Sequence, residues 1–204
     1  EPLGNAIGNS LEVAEALEVL SGRGPQTLRQ VCLELGAQML LMARRVNDRE
    51  TGYSLLKQYL TDGTAMAKFQ QFVAAQGGIS PLTNEVLPMA KFQITVMAEE
   101  TGFIQQMNAA ELGQSAMLLG AGRQFKGQQI ELAAGVILHC RLGDYVQVGQ
   151  NLATVFSNDK AKLKPAIERI KAAIKIDARQ PTIPPLIFGL VDEDGFHDWT
   201  EGRP

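Results

Sequence analysis

The chain has 204 residues, enough for one large domain or two small ones and for a substantial core. Its net charge of −3 leaves no basic footprint, which argues against nucleic-acid binding. No apolar run approaches the roughly 20 residues needed to span a bilayer, and the N-terminal residues do not read as a signal segment.

The first part of the chain reads as helical. Asn9 or Ser10 is placed to cap a first helix, with Val13, Leu17 and Leu20 on one side, Glu12, Glu15 and Glu18 on the other, and Gly22 ending it. Pro25 sits where a first helical residue would, and a second helix is expected from there to about Val46. Its apolar positions, Leu28, Cys32, Leu35, Met39, Met42 and Val46, are widened by Val31, Leu33, Leu40 and Leu41, which predicts burial on most sides. Asp48 opens a third helix carrying Tyr53, Leu56 and Leu60. After Asp62-Gly63, Thr64 opens a fourth that closes at Gly77-Gly78.

Residues 79–90 hold two prolines and no helical period, and read as a linker between a helical segment, 1–78, and a second domain, 91–176. Phe92, Ile94 and Val96 alternate with polar residues, so 91–98 is expected to be a strand, and another begins at Gly102. Asn108 is placed to cap a helix through Leu118, ended by Gly120 to Gly122. Val136–Leu138, Tyr145–Val148 and Leu152–Phe156 read as strands. Residues 160–175 read as a helix with Leu163, Ile167, Ile170 and Ile174 on one face and Pro165 early in it. The tail, 177–204, is rich in proline and then acidic, and is expected to be extended or partly disordered. Cys32 and Cys140 lie far apart inside apolar runs, which predicts two buried free thiols in a cytoplasmic protein.

The stretch Glu1–Pro25 carries Pro2-Leu3-Gly4, Gly8-Asn9, Leu11-Glu12-Val13 and Glu15-Ala16. It resembles a signature of the pyrimidine-nucleoside phosphorylases, the thymidine phosphorylase family. Further on, Ala116 through Arg123, Gly143-Asp144-Tyr145-Val146-Gln147-Val148-Gly149 and Pro184-Pro185-Leu186-Ile187 resemble the same family, with poor likeness beyond about Gly189. The resemblance implies an α/β fold: a helical part of the large domain, then a small hammerhead-like, biotinyl- or lipoyl-like β-rich C-terminal domain. It implies the C-terminal portion of an enzyme, with which the lack of an initiating Met agrees.

The implied reaction is reversible phosphorolysis of thymidine- or uridine-type nucleosides to free base and (deoxy)ribose 1-phosphate, carried out by a homodimer. The family's phosphate loop, rich in lysine, serine and glycine, and its arginine, serine and lysine base clamp do not occur here. No catalytic or substrate-binding residue is therefore expected in this chain, and the chain alone is expected to be inactive. The family holds a potassium ion beside the phosphate loop. Position by position, that role falls on the backbone carbonyls of Leu3 and Ala6 and the carboxylate of Glu15. Hard cations take oxygen ligands, and a loop bent by Gly4 and Gly8 can aim carbonyls inward. On its residues alone, Glu15 would belong to a solvated helix face.

Other motifs favour plainer readings. Gly120-Ala121-Gly122-Arg123 follows a helix instead of preceding one, so helix capping is expected over phosphate binding. Gly143-Asp144 with Val146 and Gly149 resembles biotinyl and lipoyl carriers, with Asp159-Lys160-Ala161 a superficial carrier lysine. Such a lysine should lie on a hairpin in the first half of a carrier domain, so a carrier module is the alternative reading, and an AMP phosphorylase relative is another. His139 is expected as a packed, hydrogen-bonded histidine and His197 as a solvated one. No Cys/His set has zinc spacing.

Overall fold

The computed structural model describes residues 1–199. It is mixed α/β and divides into two compact units, one built from Glu1–Ala16 and Thr83–Ile183, the other from Leu17–Leu82 and the described residues from Pro184 onward.

The first unit holds the short strand β1 (Ala6–Ile7) and the start of helix α1 (Asn9–Leu20). After a 3₁₀ turn at Asn84–Val86 come β2 (Phe92–Met97), β3 (Gly102–Met107), α5 (Ala109–Leu119), β4 (Gly135–Leu138), β5 (Tyr145–Val146), β6 (Asn151–Ser157), α6 (Lys160–Ala173) and β7 (Ile174–Asp177). A four-stranded antiparallel sheet runs β1-β4-β6-β2, and a three-stranded one runs β5-β3-β7. Val155 pairs with Ile94 on one side and Val136 on the other, so β6 is central and buried along most of its length. The core gathers Val96, Ile104, Leu112, Leu119, Val136, Val155 and Ile170 from both sheets and both helices. Within it Ser157 Oγ donates to the Leu119 carbonyl at 3.0 Å.

Asn108 caps α5 as expected, its Oδ1 accepting from the Ala110 and Glu111 amides, and Asp159 caps α6 through the Ala161 amide. The last helix ends two residues sooner than its apolar period implies. Ile174–Asp177 pairs with β3 instead, because the free edge of β3 offers a full ladder where one more helical turn offers only local bonds. Pro165 lies in the second turn of α6, where it forgoes a helix bond.

The second unit holds α2 (Gln26–Met42), α3 (Arg49–Thr61), α4 (Thr64–Ala75) and a hairpin of β8 (Gly189–Asp192) with β9 (Gly195–Asp198). Asp48 caps α3, accepting from the Thr51 amide at 2.7 Å. The α2 helix stops at Met42, short of Val46, and the chain then turns through Arg44 at φ 53°. It buries Leu33, Glu34 and Ala37 but exposes Leu35, Met39 and Met42, so burial on most sides does not hold; the row carrying those three faces outward. Cys32 sits on the exposed side as well, against the expectation of a buried thiol, whereas Cys140 is buried; both are free. Glu34 and Arg49 form a buried ion pair at 2.6 Å joining α2 to α3, and the Trp199 ring lies over the Arg49 guanidinium at 5.3 Å from its centroid. The tail after Gly189 is thus a paired hairpin, not merely extended, as far as the described residues go.

Candidate functional site

The loop before α1 is held from three directions. From the helix, Glu15 reaches back toward the N-terminus, as helical side chains lean. Its Oε1 accepts from the Asn5 amide at 2.8 Å and the Ala6 amide at 3.2 Å. Glu12 does the same one turn earlier, accepting from the Gly8 amide at 2.9 Å. From the sheet, β1 pairs with β4, Ala6 opposite Ile137 and Ile7 opposite Val136, and the Leu138 amide donates to the Asn5 carbonyl at 2.8 Å. From the loop after β4, Arg141 donates to the Gly4 carbonyl at 2.7 Å and to the Pro2 carbonyl at 2.9 Å.

This geometry decides where the backbone oxygens point. In an antiparallel pair, successive residues alternate between facing the partner and facing away. Asn5 takes the bond from β4, so the N–H and C=O of Ala6 face away from β4. Strand β1 is the edge of its sheet, and there the Ala6 amide meets Glu15. The Ala6 carbonyl therefore lies on the Glu15 side of the strand. The Leu3 carbonyl is flanked by the two that Arg141 holds and is not itself one of that residue's acceptors. Both hydrogen bonds to Glu15 fall on Oε1; among the described residues, Oε2 has no hydrogen-bond partner. Leu3 is half exposed, Ala6 is buried and Glu15 is half-buried.

The set expected from the resemblance, the Leu3 and Ala6 carbonyls with the Glu15 carboxylate, consists of hard oxygens, the kind an alkali cation takes and a soft metal does not. Among the described residues no group of three or more His, Cys, Asp and Glu side chains is placed to hold a metal by side chains alone. Arg141 was beyond sequence reasoning: it lies 137 residues from Gly4, and nothing local marks it. Asn9 and Ser10 do not act as caps. Asn9 donates to the Ala121 carbonyl and Ser10 to the Leu132 carbonyl, so they tie the helix start to the segment after α5.

The remaining candidates fall to structural roles. His139 Nε2 lies 2.8 Å from Thr154 Oγ1, the packed pairing expected of it. His197 pairs with Asp192 at 3.0 Å across the hairpin, both side chains still open to solvent. Gly120 ends α5, its amide donating to the Met117 carbonyl, so the glycine run is a cap. Lys160 is the first residue of α6, its Nζ over the Phe92 ring at 5.0 Å, and not on a β-hairpin where a carrier lysine belongs. Burial, with the Asp144 carboxylate second, pushes the Cys140 thiol up to about 12, which leaves it protonated and unreactive. Among the described residues no helix is long and apolar enough to cross a membrane.

Residues 103–177 match the family described as the pyrimidine nucleoside phosphorylase C-terminal domain. Across 195 residues, 95% of this chain, it is 39% identical to a pyrimidine-nucleoside phosphorylase of Staphylococcus haemolyticus and 38% identical to one of Bacillus subtilis. A pyrimidine-nucleoside phosphorylase of Geobacillus stearothermophilus is 37% identical over 193 residues, 94% of the chain. In each case the match spans under half of the relative, 45%, 45% and 44% of its length.

Proposed function

Since this chain belongs to the pyrimidine-nucleoside phosphorylase family, we propose that it is the C-terminal portion of an enzyme that cleaves pyrimidine nucleosides with phosphate. The reaction is reversible phosphorolysis of thymidine- or uridine-type nucleosides, yielding free base and (deoxy)ribose 1-phosphate for nucleotide salvage in the cytoplasm. The complete enzyme acts as a homodimer.

In this reading the chain supplies no group that touches the nucleoside. Its contribution is the cation site formed by the Leu3 and Ala6 carbonyls and the Glu15 carboxylate. Bound there, potassium supplies fixed positive charge beside the phosphate. Glu15 has two tasks. Oε1 holds the Asn5 and Ala6 amides, which keeps the loop in register with α1, and Oε2 offers the site its one negative charge. Three oxygens are too few for a hard cation, which normally takes about six or more, so the rest come from the remainder of the enzyme. The observation that carries this reading is Glu15's grip on a glycine-bent loop, in a chain similar to these enzymes over nearly its whole length.

The test has two arms. The full-length enzyme, given thymidine or uridine and phosphate, releases free base, while this chain alone does not; turnover by the chain in the ordinary range of about 1 to 10³ s⁻¹ contradicts the reading. In the full-length enzyme, Glu15→Gln raises the potassium concentration for half-activation by about tenfold or more, because oxygen sites follow ligand charge. An unchanged potassium dependence returns Glu15 to a purely structural role.

A further inference from the structure

The Arg141 side chain joins the loop after β4 to residues 1–4. Nη1 reaches the Gly4 carbonyl and Nη2 the Pro2 carbonyl, and Nε lies 3.6 Å from the Glu1 carboxylate. That carboxylate in turn accepts from the Leu142 amide at 2.8 Å, and the Arg141 amide donates to Asp144 Oδ2 at 2.7 Å. The guanidinium is mostly covered, with 23% of its side chain exposed. A planar fork that grips two backbone oxygens fixes orientation as well as distance.

The peptide units of the loop are gripped in sequence. The Gly4–Asn5 unit gives its oxygen to Arg141 and its N–H to Glu15. The Asn5–Ala6 unit gives its oxygen to the Leu138 amide and its N–H to Glu15. The Pro2–Leu3 unit gives its oxygen to Arg141. Only the Leu3–Gly4 unit lies between, and its oxygen is the Leu3 carbonyl. Gly4 has φ 76°, and without its clamp a glycine there is free to turn that unit over.

We propose that Arg141 is a positioning residue for the cation site: by fixing the peptide units on both sides of the Leu3–Gly4 unit, it sets the direction of the Leu3 carbonyl. This rests on the potassium reading above. Its charge works against the role, since a guanidinium near a cation repels it. If Arg141 acts mainly through charge, removing that charge tightens potassium binding. If it acts through its fork, loss of the fork weakens binding whether or not the charge remains. Groups that orient metal ligands typically change affinity by about 10- to 100-fold when replaced.

The experiment uses the full-length enzyme with Arg141→Lys, which keeps charge without the fork, and Arg141→Met, which loses both. Thermal unfolding is followed against KCl, with tetramethylammonium chloride holding ionic strength constant. Amide exchange at Asn5, Ala6 and Leu138 is followed in parallel. The expected result is a rise of about tenfold in the KCl giving half of the thermal shift, in both variants. Faster exchange is expected at Asn5 and Ala6 but not at Leu138. Tighter potassium binding in Arg141→Met, or an unchanged midpoint in Arg141→Lys, overturns the proposal. So does loss of Leu138 protection in Arg141→Lys, which would make Arg141 a general staple of the strand pair. If Glu15→Gln shifts the midpoint and the Arg141 variants do not, only this inference falls. If the unaltered enzyme shows no thermal response to KCl, the potassium reading falls and takes this inference with it.

Discussion

Gly8 and Gly135 let β1 lie against β4 closer than any side chain would permit. A Cβ on Gly135, where φ is 156°, would stand 2.2 Å from the Ile7 carbonyl oxygen and 3.1 Å from Gly8 Cα. One on Gly8 would stand 2.4 Å from the Ala134 carbonyl oxygen. These neighbours are backbone and cannot swing aside. In Gly135→Ala the new methyl falls about 1.3 Å short of the ordinary ~3.5 Å contact, so the two strands must part by roughly that much. The Leu138-to-Asn5 bond at 2.8 Å, the Ser10-to-Leu132 bond at 2.9 Å and the pairing of Ile7 with Val136 are all lost in such a shift. Three bonds at about 1 kcal/mol each give a loss of about 3 kcal/mol. For a chain of this size that lowers the melting temperature by about 6–12 °C. Calorimetry on the chain measures the shift, and amide exchange at Leu138 shows whether β1 has left the sheet. A variant melting within about 2 °C of the parent, with Leu138 still protected, would refute the close-approach argument.

Two further predictions concern the thiols and the boundary between the helical and β-rich regions. Cys32 is exposed and reacts with a thiol reagent in the native chain at pH 8, although partial burial raises its pKa. Cys140, pushed up to about 12, is thiolate in only about one molecule in ten thousand at that pH and reacts only after unfolding. The Cys140 pKa is raised in the folded state, so the native chain binds more protons than the unfolded one between about pH 8.5 and 12, and stability falls as pH rises through that window. Urea midpoints at pH 8 and pH 10 should therefore fall more steeply in the parent than in Cys140→Ala; equal slopes would count against the shift. Residues 74–81 are exposed throughout, so subtilisin is expected to cut first between Gly77 and Ala90 or after Asp177. Early cuts within 130–156 would contradict the boundary.

What the sequence alone determined is what neighbouring residues settle among themselves. Asp48 and Asn108 mark helix starts because each side chain satisfies amides two or three residues ahead. The alternation at 92–97 reads as a strand because period two needs no partner to be visible. The family resemblance likewise proposed Leu3, Ala6 and Glu15 for a cation site from residues within one short stretch. Only the tertiary structure decided the rest. Ala6–Ile7 is a strand solely because β4 lies beside it, and Ile174–Asp177 leaves its helix solely because β3 has a free edge. The apolar period of α2 is real, yet which of its rows is buried depends on what packs there, so Leu35, Met39 and Met42 read as core and stand exposed. Arg141 shows the limit most sharply. A guanidinium reaching the carbonyls of Pro2 and Gly4 leaves no trace in residues 137 and 139 positions away, because a hydrogen bond to backbone places no demand on the identity of the side chain there.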